Sequence, residues 1–447
     1  MTPAKPEFLK NPATQDPAAR KEPVISHRPQ KTGASHSWEK PPAPVPPPHL
    51  QEYEAIVGKA MLDELHVLAR EVKGKTVKMV NSTAVGGGVA EMLIRLVPLL
   101  AELGIDTHWD VIKGEADFFA VTKSFHNALQ GGDYKLTREA EETFLAYNDR
   151  NRRAMSFTED LIVIHDPQPA ALVRARSESP SRWVWRCHID LSNPNPQVWE
   201  FLKQFVEQYD AAIFSSQSFS RQLPIPQYLF YPCIDPLSEK NKPLTDSEVQ
   251  KVCDEFGVDR SRPIVTQVSR FDRAKDPVGV IQAFKLARKH EDCQLLLVGG
   301  GATDDPEGAA VLKEVQEAAA NDPDIIILDL PPWCNHEVNA LQRASTMIVQ
   351  KSTKEGFGLT VTEALWKEKP TVASAVGGIP NQIIDKMTGM LVHSVEGCAS
   401  QIRYLLAHPD FAAQLGKNGH EHVKENFLMT TDLRRWLLLL RILTGNS

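Results

Sequence analysis

Short, uninterrupted apolar runs alternate with helix-length amphipathic stretches through both halves of the chain, and this rhythm restricts the fold more than any other feature of the sequence. In the first half a helical pattern over Ala60–Glu71 precedes a strand-like run, Thr76–Asn81, and a glycine turn follows at once. Ala90–Leu103 has helical spacing, Thr107–Ile112 and Leu161–Ile164 read as strands, and Ala211–Phe214 reads as the last major strand of this half. The second half repeats the order. Ile264–Val268, Gln294–Val298, Ile325–Leu328, Met347–Gln350 and Thr371–Ala373 read as strands, interleaved with helical patterns over Val278–Lys289, Val338–Ala344 and Gly358–Lys367. Runs without polar alternation are what strands buried on both faces require, so each half is expected to be a doubly wound parallel sheet. Proline punctuation at Tyr231–Pro236 marks a linker, and Leu433–Leu443 reads as a closing helix. The expected organisation is a disordered proline-rich tail over 1–50, Rossmann-like α/β domains over 51–236 and 237–428, and a terminal helical segment over 429–447.

The tail ends in Pro41-Pro42-Ala43-Pro44-Val45-Pro46-Pro47-Pro48, which favours extended polyproline II and cannot build a core; a proline-rich docking ligand is the alternative reading. With 42% hydrophobic and 24% charged residues and a net charge of -7, the chain has no general attraction to nucleic acid or anionic membrane. An anionic ligand must therefore be held locally. Six cysteines without a C-x-x-C pair argue against zinc and disulfide frameworks, and fit a reducing cytoplasm. The N-terminus has no signal-peptide apolar core, and runs such as Trp436–Leu440 are far short of a membrane span.

In sheets of this kind ligands sit at the carboxyl ends of the strands, so those loops are where chemistry is sought. After Met347–Gln350 comes Lys351–Gly358 and then a helix, with Gly356 and Gly358 clearing space for backbone amides and Leu359 and Thr360 at the helix start facing phosphate oxygens. Glu355 can accept two hydroxyl protons of a sugar, and Glu363, one turn into the helix, can take the paired hydroxyls of a ribose. Arg270 and Lys275 leave the end of Ile264–Val268 on one short loop, where both heads can converge on a diphosphate and stabilise a departing phosphate. Alone, such an R-x4-K loop is a common surface element.

Gly86-Gly87-Gly88 lies between the first strand and its helix, where amides can reach an anion; a plain turn is the competing reading. A dinucleotide fingerprint is excluded by Glu91 where it needs a glycine or alanine. His165 and Asp166 end a buried strand and enter the cleft as hydrogen-bonding groups. Lys123, His126, Asn127 and Gln130, with Arg186, His188 and Asp190, add groups that read sugar hydroxyls, interleaved with aromatics such as Phe125 and Trp185 that can stack on pyranose faces. Asp304-Asp305 is the only acidic doublet suggestive of a metal-dependent transferase, but its Thr303 and Pro306 neighbours read as a loop, and no metal is expected.

Gly86–Gly88, Arg270, Lys275 and the Glu355–Glu363 spacing resemble the glycogen-synthase-like retaining glycosyltransferases of GT-B fold. Within them, Val80–Glu91, Thr122–Gln130, His165–Pro169, Trp185–Ser192 and Glu355–Glu363 are similar to the trehalose glycosyltransferring synthases, with the retaining trehalose phosphorylases next. The resemblance implies two domains facing across a cleft, the second binding the donor and the first the acceptor, with no cofactor and no metal. It also implies reversible glucose transfer between a nucleoside diphosphate, ADP or UDP, and glucose; the phosphorylase reaction, with phosphate as carrier, is the alternative. Glu355 would hold the donor glucose, Glu363 the ribose, and Arg270 and Lys275 the diphosphate. Gly87 and Gly88 would approach it from across the cleft, with Gly356, Phe357, Gly358 and Leu359 lining the donor side. His165 would meet the donor near its C6 hydroxyl. Lys123, His126, Asn127, Gln130, Asp166, Arg186, His188 and Asp190 would be acceptor-side groups. The implied partners are small-molecule substrates only, NDP-glucose, glucose and trehalose, with a homodimer left open. Where many relatives carry a bulky aromatic before the lysine, this chain has Ala274, which implies different local packing with both charges intact.

Overall fold

The computed structural model describes residues 47–84, 88–300 and 306–445, the last segment with side chains from residue 308. Gly86, Gly87, Asp304, Asp305 and the proline-rich stretch through residue 46 lie outside them.

Two six-stranded sheets form, all parallel. The first contains β1 (Thr76–Asn81), β2 (Asp106–Val111), β3 (Leu161–His165), β4 (Arg182–Arg186), β5 (Ala211–Phe214) and β6 (Gln227–Leu229), in the order β2-β1-β3-β4-β5-β6. The second contains β7 (Ile264–Val268), β8 (Gln294–Gly299), β9 (Ile325–Asp329), β10 (Met347–Gln350), β11 (Thr371–Ser374) and β12 (Met390–Val392), in the order β12-β11-β10-β7-β8-β9. In each sheet the strand order reverses beside its first strand, which opens a crevice at the carboxyl edge.

Both faces of each sheet are covered. In the first, Val77, Met79, Leu161 and Val163 pack with Leu93, Leu96 and Leu100 of helix Gly88–Glu102, whereas Ile162, Ile164, Trp183 and Trp185 point into a second cluster with Phe125, Phe144 and Leu202. The period-two split of strand residues between two cores is what makes these runs apolar throughout. The second sheet does the same, with Val265, Leu295 and Val349 in one cluster and Ile264, Leu296 and Val298 in another.

Order begins ahead of the position expected from composition. Leu50 and Tyr53 are already buried, and the Tyr53 hydroxyl donates to the Asp235 carboxylate at 3.0 Å. The reason is local: a 3-10 turn over Leu50–Tyr53 tucks both side chains into the first core, so Leu50 belongs to the folded part and not to the expected tail.

Helix Met429–Thr444 extends the expected Leu433–Leu443 by a turn and returns to the first sheet, where Leu433, Trp436, Leu437 and Leu440 pack near Val77 and Leu161. The chain thus crosses between the sheets twice, side by side. Ile234 donates to the Phe427 carbonyl at 2.8 Å and its own carbonyl accepts from Met429 N–H at 3.0 Å.

Candidate active site

The loop after β10 is held from beneath. Gly377 has φ +54, and a Cβ there would fall 1.7 Å from the Glu355 carbonyl oxygen, so only glycine lets the backbones meet. Gly378 N–H donates to the Gly356 carbonyl at 3.0 Å, and Gly358, at φ +87, turns the chain into helix Leu359–Trp366. The Val376-Gly377-Gly378 sequence after β11 carried this signal, but no role was assigned to it.

Glu355 is 9% exposed, and its Oε2 accepts from Lys275 Nζ at 2.6 Å and Ser352 Oγ at 3.2 Å. Lys275 arrives on the loop after β7, whose position is set by Gln267 donating to the Lys275 carbonyl at 2.8 Å and Thr353 N–H donating to the Ala274 carbonyl at 2.7 Å. Ala274 therefore joins the two loops through its backbone. Lys351 pairs with Asp276, which caps the following helix by accepting from Gly279 N–H at 3.0 Å. Arg270, by contrast, is mostly exposed and, among the described residues, pairs with Asp272 at 3.4 Å.

Glu363 is buried among cations. Lys367 donates to the Glu363 carbonyl at 3.2 Å and to Asn241 at 3.0 Å; burial pushes its ammonium well below the usual lysine range, with Glu363 restoring part of the loss. Burial also opposes the charge on Lys240, but Glu363 and Glu91 together hold its pKa above the ordinary value. Lys240 meets Glu91, at the start of the first-sheet helix Gly88–Glu102, at 3.1 Å. This link joins residues 149 positions apart and has no local sequence signature.

At the end of β3 the fully buried His165 places Nδ1 2.9 Å from His188 Nε2, with the rings nearly parallel at 13°. Asp166 adopts φ 66, and its carboxylate accepts from His188 N–H at 2.7 Å. Asp190 accepts from Ser192 N–H at 2.7 Å, turning the chain after this segment. Lys123, His126, Asn127 and Gln130 occupy spacings of three, four and seven along helix Ala116–Leu129 and its cap, hence one face. His126 contacts Gln130, and Lys123 and Asn127 are exposed.

The two halves meet at these residues. An ideal Cβ on Gly88 would lie 4.0 Å from the Leu359 side chain, and one on Gly356 would lie 3.7 Å from the His188 carbonyl. Asn381 donates to Ser216 Oγ at 2.9 Å, and Arg270 adds to burial in depressing the pKa of His126. The starts of helices Gly88–Glu102 and Leu359–Trp366 thus face a common space, into which backbone amides from both can point.

Several groups assigned from sequence stand elsewhere. Arg186 is 1% exposed; its guanidinium donates to the Phe230 carbonyl at 2.6 Å and lies over the Phe230 ring, so it braces the interdomain crossover. Trp185 and Phe125 cannot stack on a sugar, because both are buried in the first core, the Trp185 indole N–H donating to the Asp166 carbonyl at 3.0 Å. The Phe357 ring packs between Tyr231 and Phe427, leaving only its backbone for the donor side.

Removal from water raises the Asp166 pKa to about 6, against the opposing pull of the His188 N–H and Arg186. A raised carboxylate favours folding most below its unfolded pKa, and that advantage is lost as pH rises through about 6. Asp166→Asn keeps an acceptor for His188 and suits a positive φ. It is expected to raise Tm at pH 8, with the gain narrowing as pH is lowered to 5; a gain constant with pH would refute the charge as its cause.

Comparison with known proteins defines the class first. Residues 250–422 match the family "Glycosyl transferases group 1". The structure superposes on sucrose-phosphate synthase from Thermosynechococcus elongatus with TM-score 0.62 at 22% identity, covering 83% of this chain and 100% of that one, a likeness of fold. The arrangement is that of a GT-B glycosyltransferase. Residues 79–221 match "Trehalose synthase, N-terminal domain". The chain is 48% identical to the trehalose synthase of Thermococcus litoralis over 397 residues, 88% of this chain and 96% of that one. It is 31% identical to the trehalose phosphorylase of Pleurotus pulmonarius, over 76% of this chain and 54% of that one. The chain belongs to the trehalose synthase family of glycosyltransferases.

Proposed function

We propose that the protein is a retaining glucosyltransferase that reversibly moves glucose between a nucleoside diphosphate and free glucose, forming and cleaving trehalose. The observation that carries this reading is the largely buried Lys275–Glu355 pair beside Gly358 at the start of helix Leu359–Trp366, within a chain that spans 96% of a trehalose synthase. Glu355 takes donor hydroxyls, Glu363 the ribose, and Arg270 and Lys275 the diphosphate. His165 meets the C6 hydroxyl, and Lys123, His126, Asn127 and Gln130 form the acceptor side.

A retaining glycosidase would need two carboxylates about 5 Å apart across the bond. Our reading has the leaving phosphate oxygen take the acceptor proton, with attack from the leaving-group face. As the glycosidic bond breaks, negative charge grows on the departing oxygen, and the two cations stabilise it once the domains close on the substrate and exclude water. They supply the charge that a divalent ion supplies in other transferases, so turnover insensitive to chelator is expected. Free, buried cysteines support a reducing compartment.

The test is to incubate the pure protein with trehalose and ADP, UDP or inorganic phosphate, each with and without EDTA, and to identify the glucosyl product. ADP- or UDP-glucose supports the reading. Glucose 1-phosphate would replace it with phosphorolysis, and no product with any acceptor would sink it.

A further inference from the structure

We propose that His188 is a positioning residue for His165, holding that imidazole in one orientation and one neutral tautomer so that its free nitrogen offers a sugar hydroxyl a single hydrogen-bonding role. The inference rests on the functional reading above for the identity of the hydroxyl, and on the two rings themselves for the rest.

His165 Nε2 is buried and, among the described residues, has no hydrogen-bond partner, although His165 ends β3 at the ligand-binding edge of the sheet. Its other nitrogen is spoken for by His188 Nε2 at 2.9 Å. One proton lies on that contact. If His165 Nδ1 carries it, His165 Nε2 can only accept; if His188 carries it, His165 Nε2 can only donate. In each arrangement His165 Nε2 has one role, and exchanging them requires both outer ring nitrogens to change protonation together with the contact, whereas an imidazole without a partner samples both freely.

The surroundings keep both rings neutral and His188 in place. Removal from water, then the Arg186 charge, lowers both pKa values, that of His165 to about 3. The His188 backbone is pinned by the Asp166 carboxylate, and Asp166 in turn by its N–H donating to the Arg186 carbonyl at 2.8 Å and by the Trp185 indole on its carbonyl. The donor loop closes the other side, with Gly356 against the His188 carbonyl. His188 is thus built into the floor of the site, a different task from binding acceptor.

Two measurements test this. In 15N spectra of histidine-labelled wild type, which need no variant, His165 is expected as a single neutral tautomer; a mixture overturns the proposal. In kinetics, wild type is compared with His188→Phe, which keeps a flat ring but cannot bond Nδ1, using trehalose and its 6-deoxyglucosyl analogue. Preference for the natural sugar is expected to fall about tenfold in His188→Phe, because a site built around one hydroxyl bond loses its discrimination when that bond is blurred. His188→Gln, which restores a partner for Nδ1, is expected to recover most of it. Equal loss on both sugars would mark His188 as merely structural and overturn the proposal, as would an unchanged preference. Absence of glucosyl transfer by wild type would instead defeat the functional reading, leaving the tautomer spectra to decide this one.

Discussion

Lys275→Ala is expected to lower kcat by about 10²–10³ while the protein remains folded, because in the proposed mechanism it removes a cation that stabilises charge developing on the leaving phosphate. A simpler role competes with this one: the lysine could serve only to neutralise Glu355, which is 9% exposed and receives its 2.6 Å bond. Stripping one partner from a buried pair costs about 3–5 kcal/mol in many proteins, so a fall in activity alone would not separate the roles. The double variant Lys275→Ala with Glu355→Ala would also be ambiguous, since it removes the donor-sugar contact proposed for Glu355. Lys275→Ala with Glu355→Gln is the better comparison, because the amide retains hydroxyl contacts and needs no counter-charge. If Lys275 only neutralises Glu355, the amide restores both stability and turnover. If it acts on the phosphate, stability recovers and turnover does not. Near-normal turnover in Lys275→Ala alone would remove Lys275 from the mechanism.

The sequence made the donor side legible for a physical reason. Strands β7 and β10 are short runs buried on both faces, so Ile264–Val268 and Met347–Gln350 could be bounded to the residue, and the loops that leave them carry their chemistry in consecutive positions. On the first sheet the same logic failed at β4. Trp185–Asp190 mixes an aromatic with charged groups and reads as a ligand-contacting segment, whereas its first two residues end the strand Arg182–Arg186, Trp185 in the core with Trp183 and Arg186 bracing the crossover at Phe230. Three-residue strands such as Met390–Val392 are too short for any period to register. Contacts made only by folding leave no pattern at all: Lys240 with Glu91 and Asn381 with Ser216 each join distant segments. The buried first turn of the closing helix, Met429-Thr430-Thr431-Asp432, is polar at three of its four positions, so the continuous apolar pattern of that segment begins only at Leu433.

That helix carries the second large effect: Trp436→Ala is expected to destabilise the protein by about 3–5 kcal/mol, the range for deleting a buried large aromatic side chain. Trp436 is 3% exposed and packs edge-on against Phe230, ring centres 5.2 Å apart at 82°. Phe230 belongs to one crossing between the sheets and Trp436 to the segment just beyond the other, so the contact fastens the two crossings where Ile234 already pairs with Phe427 and Met429. The truncation also takes the indole N–H from Asp432, whose buried carboxyl it meets at 3.1 Å and whose pKa burial raises. Cavity and orphaned carboxylate add to each other. Ile442→Ala on the same helix is the control: at 61% exposure its side chain leaves little to lose, and a change within about 0.5 kcal/mol is expected. Denaturant unfolding of both variants reads the difference. Because the closing helix belongs in sequence to the second half and in packing to the first, Trp436→Ala should unfold in two separated steps if the crossings hold the halves in one cooperative unit through this contact, and in a single earlier step if the sheets remain coupled through the cleft. A midpoint equal to wild type would show that the first core holds without the helix.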